Sequence, residues 1–368
     1  MSFAPENYIF VDGKKLRRGF TTGSCAAAAA KGAAALLLRG DVEDLNAVET
    51  PAGKPFKPPL YDLVCDGVEA GCAVKKDGGD DPDITSGCLV YAKVKKCGGE
   101  TFVIEGGEGV GRVTLPGLDQ PVGAAAINSV PRLMITDALR EICETAGFTG
   151  NLSVSISIPD GEKLAGRTFN KRLGIVGGLS ILGTSGIVEP MSESAFCGAV
   201  KAELSMLRAS GLKTVTLTPG NIGIDFLARH YPDASPVKCS NFIGESICLA
   251  AEAGFEYVLV AGHIGKLVKL VTNSFNTHSR YGDARMFVFA AFAAMNGADS
   301  ALTEELLRCA TSEGAIDILL GAKLWEPVIE KILEEAKRNL DGFCERRGFN
   351  MRCDALFFSS KHGFLGKT

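Results

Sequence analysis

The sequence predicts two parts: an N-terminal α+β domain, then a Rossmann-like α/β domain built on a parallel sheet. Three observations carry that prediction. A chain of 368 residues exceeds one core of ordinary size, and 46% hydrophobic against 22% charged residues supply material for two. Within residues 1–160, short β-like runs bounded by Gly and Asp clusters surround two helical stretches. From residue 161, apolar strands alternate with helical segments, the βαβ pattern that covers both faces of a parallel sheet. The boundary falls near residue 160, giving domains 1–160 and 161–368.

The elements follow in order. Residues 1–16 are polar apart from an edge-strand run at Tyr8–Val11. Arg17-Arg18-Gly19-Phe20-Thr21-Thr22-Gly23-Ser24-Cys25 then leads into Ala26–Ala30, Lys31, Gly32, Ala33–Ala35 and Leu36–Leu38. Alanine and leucine are the strongest helix formers, and Thr21, Thr22 and Ser24 are capping residues placed to begin the helix. Pro51–Pro59 is a loop, followed by strands at Tyr61–Cys65, Cys88–Val94 and Thr101–Ile104. Pro131–Ala146 has helical spacing with Gly147 as its stop, and Asn151–Ile158 alternates as a half-buried strand. In the second half, Gly174–Leu182 is apolar and glycine-punctuated. A helix at Ser192–Ser210, a strand at Thr214–Leu217, a helix after Pro219-Gly220-Asn221, a helix at Phe242–Ala253 and a strand at Tyr257–Ala261 follow. Helices are expected within Met286–Met295, Glu304–Ala310 and Glu326–Arg346, and a β-like run at Asn350–Ser359 has no assigned sheet.

Composition narrows the function. A net charge of −4 excludes bulk steering of nucleic acid, so anionic ligands must meet local basic clusters such as Lys14–Arg18, Arg167–Arg172 and Lys266–Lys269. Twelve scattered cysteines with no Cys-x-x-Cys pair and no secretory signal point to a reducing cytoplasm and argue against a protein-bound metal. No apolar run free of charge reaches the length of a membrane span. Oligomeric state is left open, a homo-oligomer included.

Four stretches are candidates for chemistry, each with a plain structural alternative. The first turn of the alanine helix, with Arg18, Thr21, Thr22 and Ser24, is an anion seat or merely a capped helix start. The stretch containing Gly174, Gly177, Gly178, Gly183, Thr184 and Gly186 lets a ligand lie on bare backbone, or lets two backbones pack closely. Its spacing is not Gly-x-Gly-x-x-Gly, which argues against a nicotinamide-dependent oxidoreductase. Gly262-His263-Ile264-Gly265-Lys266, where a buried strand meets a helix, offers a titratable ring and a cation at a ligand-binding sheet edge. Asn276-Thr277-His278-Ser279 adds a second histidine within sixteen positions. Asp80-Asp81-Pro82-Asp83 is either an acid–base cluster or a turn held by Asx hydrogen bonds. Cys25 is a small residue among alanines rather than a nucleophile.

The run Arg18-Gly19-Phe20-Thr21-Thr22-Gly23-Ser24-Cys25 into the alanines resembles the opening signature of the CbiD family, the cobalt-precorrin-5B C1-methyltransferases of anaerobic cobalamin biosynthesis. Further similar segments follow in order: Asp80–Thr85, Leu115-Pro116-Gly117, Pro121-Val122-Gly123, Ala126-Ile127-Asn128 with Val130-Pro131-Arg132, Gly174–Pro190, Thr218–Asn221, Gly262–Lys269 and Asn276–Ser279. One departure is Ala124-Ala125, where the family has Glu-Pro. The resemblance implies methyl transfer from S-adenosylmethionine to C-1 of cobalt-precorrin-5B, whose cobalt arrives inside the substrate. For that reaction the residues offer His263 or His278 as a modest base, and Arg18, Thr21, Thr22, Ser24, Lys266, Asn276 and Thr277 as partners for the acidic side chains of the ring. The stretch from Gly174 to Gly186, with Thr184, is expected to hold the methyl donor, as a glycine-dense turn at the first strand of the parallel sheet. A non-catalytic corrinoid carrier is the rival that would bind the ring without using the donor.

Overall fold

Helix α1 (Thr22–Arg39) occupies the centre of the first unit because almost nothing in it projects. Its alanines from Ala26 to Ala35 are fully buried, so neighbouring elements approach its backbone directly. Thr21 caps it by accepting the Ser24 N–H, and Gly40 ends it at φ 81, in the left-handed region glycine favours. The computed structural model describes residues 7–368 except 12, 44, 45, 100, 169 and 172. The described residues form two units that divide between Glu193 and Ser194.

In the first unit, α1 lies on a sheet of β1 (Leu60–Cys65), β2 (Glu69–Lys75), β3 (Leu89–Cys97), β4 (Val103–Gly106) and β5 (Asn151–Ser157), beside α2 (Ser129–Thr145). The order is β1-β2-β3-β5-β4, antiparallel except for the parallel pair β4 and β5. The sequence did not announce β2: Ala70, Gly71, Cys72 and Ala73 are poor strand formers. Their small size is what the alanine helix needs. The Cys72 thiol reaches the Ala29 carbonyl at 3.2 Å. A Cβ on Gly32 would stand 2.5 Å from Leu60.

The glycine-rich stretch expected to open the parallel sheet instead completes this first unit. Ile175–Val176 pairs antiparallel with Arg112–Val113, and Ile187–Val188 with Gly19–Phe20. The physical reason is backbone stacking. A Cβ on Gly178 would stand 2.2 Å from the Gly109 carbonyl oxygen, so the two loops meet where neither can carry a side chain.

The second unit is built from α3 (Glu193–Ala209), β6 (Thr214–Thr218), α4 (Asn221–His230), β7 (Pro236–Lys238), α5 (Ile243–Glu252), β8 (Tyr257–His263) and α6 (Ile264–Leu267). Then come α7 (Arg285–Met295), α8 (Ser300–Arg308), α9 (Ser312–Gly321), α10 (Trp325–Glu345), β9 (Arg352–Ser359) and β10 (Gly363–Lys367). The sheet order is β7-β6-β8-β9-β10, parallel through β9, with β10 antiparallel at the edge. The C-terminal β-like run therefore joins this sheet beside β8. Cys353–Ser359 is buried throughout, as a parallel strand covered on both faces should be. Leu217, Val258, Val260 and Phe357 are fully buried, in one cluster with Ile247, Phe289 and Ile332 from the helices. Three elements were not expected. These are β7, only three residues long and opened by a proline, α9, and the edge strand β10.

Candidate functional site at the carboxyl edge of the parallel sheet

Strand order reverses between β6 and β8, and in open α/β sheets ligands bind in the crevice outside the carboxyl ends at such a point. Four segments converge here. The Lys266 ammonium, on α6, donates to the Pro219 carbonyl after β6 (3.3 Å) and to Asn241 Oδ1 after β7 (2.9 Å). Asn241 in turn accepts from the Thr277 hydroxyl at 3.2 Å, and its carbonyl accepts the Thr277 N–H at 3.0 Å. Lys269, nearly fully buried, donates to the Thr277 and Gly282 carbonyls. Lys238 donates to Asn221 Oδ1 at 2.7 Å. Among the described residues no carboxylate pairs with Lys238, Lys266 or Lys269. Burial, together with nearby Lys238 and Lys269, lowers the pKa of the Lys266 amine.

The two histidines are held by the same local device. His263 Nδ1 accepts the Gly265 N–H at 3.1 Å, and His278 Nδ1 accepts the Arg280 N–H at 3.2 Å. A backbone N–H can only donate, so each ring carries its proton on Nε2 when neutral. In His263 that Nε2 meets Glu313 Oε1 at 2.9 Å. Glu313 also accepts from the Ser359 hydroxyl (2.6 Å) and the Ser360 N–H (3.0 Å). Burial raises the Glu313 pKa, but the hydrogen bonds from Ser359, His263 and Ser360 outweigh it and hold the group ionised. Both His263 nitrogens are therefore engaged by the protein, and the expected acceptor of a substrate proton is occupied at its lone pair. Asn276 Oδ1 accepts the His278 N–H, fixing the turn that presents His278 Nε2–H.

Of the expected residues, His263, Lys266, Asn276, Thr277 and His278 thus belong to segments that meet at one edge. The residues of the first unit are placed differently. Thr21, Thr22 and Ser24 are buried, with 6%, 3% and 0% of their surface exposed. Thr22 Oγ1 accepts the Leu182 N–H at 3.0 Å, Ser24 Oγ donates to the Gly186 carbonyl at 2.6 Å, and the Gly23 N–H donates to the Leu182 carbonyl. The anion seat at the start of α1 is filled by the protein's own chain. Arg18 pairs with Glu189 at 2.8 Å.

The glycines fare likewise. A Cβ on Gly183 would stand 2.2 Å from Thr21 Oγ1, one on Gly186 2.7 Å from Thr50, and one on Gly174 2.5 Å from Leu115. Only Gly177 and the exposed Thr184 face outward among the six residues expected around the methyl donor. Arg172, one of the nearby cations, lies outside the described residues. The acidic turn is also a clasp. Asp80 accepts the Arg17 N–H, Asp81 accepts the Met191 N–H, and Asp83 pairs with the buried Lys76 at 2.7 Å. Burial pushes the Cys25 thiol up to about 12.

Sequence reasoning missed Asn241, Glu313 and Lys238, and singled out Thr218 only as the start of a family-like segment. Lys238 ends β7 and Asn241 follows it, and a strand of three residues leaves little signal in the sequence. Glu313 sits in the first turn of α9, where Thr311 accepting the Gly314 N–H is a capping signal that could have been read.

Comparison with known proteins follows the chain closely. The family model described as CbiD matches residues 9–190, and that described as CbiD, C-terminal domain, matches residues 276–368. A cobalt-precorrin-5B C(1)-methyltransferase of Ruminiclostridium cellulolyticum is 43% identical over 356 residues, covering 96% of this chain and 92% of that protein. One of a Thermoanaerobacter species is 45% identical over 315 residues, covering 85% of each. A crystal structure described as cobalamin biosynthesis protein (cbiD) from Archaeoglobus fulgidus is 27% identical, covering 76% of this chain and 87% of that one, with a TM-score of 0.39.

Proposed function

Since the chain belongs to the CbiD family, we propose that its second unit, a Rossmann-like sheet with an antiparallel edge strand, holds the methyl donor at the carboxyl edge. The protein is a methyltransferase that methylates C-1 of cobalt-precorrin-5B in cobalamin biosynthesis. The donor is S-adenosylmethionine, which when bound supplies a methyl group on an already electrophilic sulfonium. What the protein must add is alignment and exclusion of water.

The observation that carries the reading is the convergence of Pro219, Asn241, Lys266 and Thr277 at the point where strand order reverses. The residues there fit such a ligand. Gly220 is open, with nothing within 4 Å of where a side chain would begin, and Thr218 is buried with an unpartnered hydroxyl. In this reading the donor site lies at the ends of β6 and β8 rather than on the stretch from Gly174 to Gly186. Lys266 and His278 Nε2–H serve as hydrogen-bond donors to carboxylates, as does the side chain of Asn276. His263, tied to Glu313, positions α6 and thereby Lys266. In the first unit, the exposed Leu115, Val122 and Val176 lie on paired segments beside Arg112, an apolar face suited to a flat ring with acidic side chains.

The test is incubation with cobalt-precorrin-5B and S-adenosylmethionine carrying a ¹³C-methyl group, with the product followed by NMR. The label should appear at C-1 with wild-type protein and fall at least tenfold in rate with Asn241→Ala, which releases Lys266 and Thr277 together. Label at another carbon, or none with folded wild-type protein, would overturn the assignment.

A further inference from the structure

Rotating a threonine hydroxyl into an apolar interior without a partner is unfavourable, and native proteins rarely leave one there. Thr218, the last residue of β6, does so: it is 0% exposed, and its Oγ1 has no hydrogen-bond partner among the described residues. The oxygen points into the first turn of α4. A Cβ on Gly223, the third residue of that helix, would stand only 1.8 Å from it.

The same turn has other unspent donors. Gly220, the N-cap of α4, provides no side-chain cap, and the first turn contains no acidic residue, so the positive end of a ten-residue helix is uncompensated. Backbone there is extended, with φ at 177°, and the space beside Gly220 is open. Lys266 Nζ lies against the Pro219 carbonyl and Asn241 Oδ1, neutral oxygens that leave its charge unbalanced, with Lys238 Nζ held on Asn221 of the same turn. A buried hydroxyl, an uncapped helix start and an unpaired ammonium thus surround one turn. Each lacks the same thing, a compact anion with several acceptor lone pairs.

We propose that the turn Thr218–Asn221, with Lys266, is a binding site for a carboxylate at the end of a short alkyl chain. Two ligands of the proposed reaction carry that group: the amino-acid tail of the methyl donor, and the acetate and propionate arms of the macrocycle. The proposal rests on the donor reading above only for which of the two carboxylates enters.

The experiment is calorimetry on the full chain with S-adenosylhomocysteine, with 5′-deoxy-5′-methylthioadenosine, which lacks the amino-acid tail, and with cobalt-precorrin-5B. Lys266→Met should weaken by about 10–100-fold whichever ligand supplies the carboxylate. If that is the donor tail, S-adenosylhomocysteine loses affinity and methylthioadenosine binds as to wild type. If it is a ring arm, only cobalt-precorrin-5B loses affinity. Thr218→Val keeps the shape, removes the orphan hydroxyl, and should raise the melting temperature while weakening the same ligand. A merely structural threonine would not move the two readouts in opposite senses. Unchanged affinity for all three ligands in folded Lys266→Met and Thr218→Val would overturn the carboxylate site. Wild-type protein that binds neither nucleoside would instead remove the donor reading, leaving the macrocycle arm to decide the site.

Discussion

Gly178→Ala distinguishes packing from ligand contact in the glycine-rich stretch. The added methyl would stand 2.2 Å from the Gly109 carbonyl oxygen, 2.3 Å from its carbon and 2.8 Å from the Gly111 nitrogen. All three are backbone atoms and cannot rotate away. Two hydrogen bonds hold the loops at that distance, Leu179 N–H to the Gly109 carbonyl (2.9 Å) and Gly111 N–H to the Leu179 carbonyl (2.8 Å). Overpacking costs about 1–3 kcal/mol, and each lost backbone bond a net 0.5–1.5 kcal/mol or so, giving roughly 4 kcal/mol. For a domain of this size that is a drop of about 8–16 °C in melting temperature. Gly177→Ala is the control. Gly177 has φ 83 but nothing within 4 Å, so only backbone strain of roughly 1–2 kcal/mol is expected. Thermal and urea denaturation measure both, and calorimetry with S-adenosylhomocysteine should show unchanged affinity in each folded variant. Wild-type stability of Gly178→Ala with weakened S-adenosylhomocysteine binding would refute the packing argument and return the methyl donor to this stretch.

Thr22→Val should act on stability and not on the Michaelis constant for the tetrapyrrole. It strips the Leu182 N–H of its acceptor, worth about 1–3 kcal/mol in urea denaturation. Acid should destabilise the second unit through Asp283, whose hydrogen bonds from Arg285 lower its pKa from 3.8 to about 2. A depressed carboxylate stabilises above its unfolded pKa and loses that contribution as pH falls through the folded value, so the loss runs from about pH 4 down to 2. With 42% of the side chain exposed, screening holds it to roughly 1 kcal/mol or less, and Asp283→Asn should flatten that part of the urea-midpoint profile.

The elements legible in the sequence were those whose local signals agreed with their burial. The alanine helix, the alternating strand at Asn151–Ser157 and the apolar strand at Tyr257–His263 came out within a residue or two. Strand β2 was hidden because its residues were chosen for a neighbour: small side chains under an alanine helix carry no strand signal. The stretch from Gly174 to Gly186 was visible as bare backbone, but a glycine run is equally what a ligand or another backbone requires. The partner, Gly109–Gly111, lies more than sixty residues away in sequence, so nothing local distinguishes the two. At the sheet edge the reading went further, since strand-to-helix turns point their residues to one place by topology alone.

The paired histidines show what kind of site that topology assembles. His263 and His278 have nearly the same backbone, φ −64, ψ 136 and φ −65, ψ 137, and each turns Nδ1 back onto the N–H two residues on. A histidine kept for proton abstraction needs a lone pair facing its substrate. These rings spend theirs on the turn and direct Nε2–H outward, one to Glu313 and the other away from its own turn. The ammonium groups of Lys238, Lys266 and Lys269 and the uncapped start of α4 add further hydrogen-bond donors beside the Glu313 carboxylate. Such an edge is chemically suited to ligands that carry carboxylates, and in this arrangement neither ring has a free Nδ1 lone pair. Under the proposed function, the protein contributes to methyl transfer by holding acidic ligands in register, and the sulfonium of the proposed donor supplies the chemical drive.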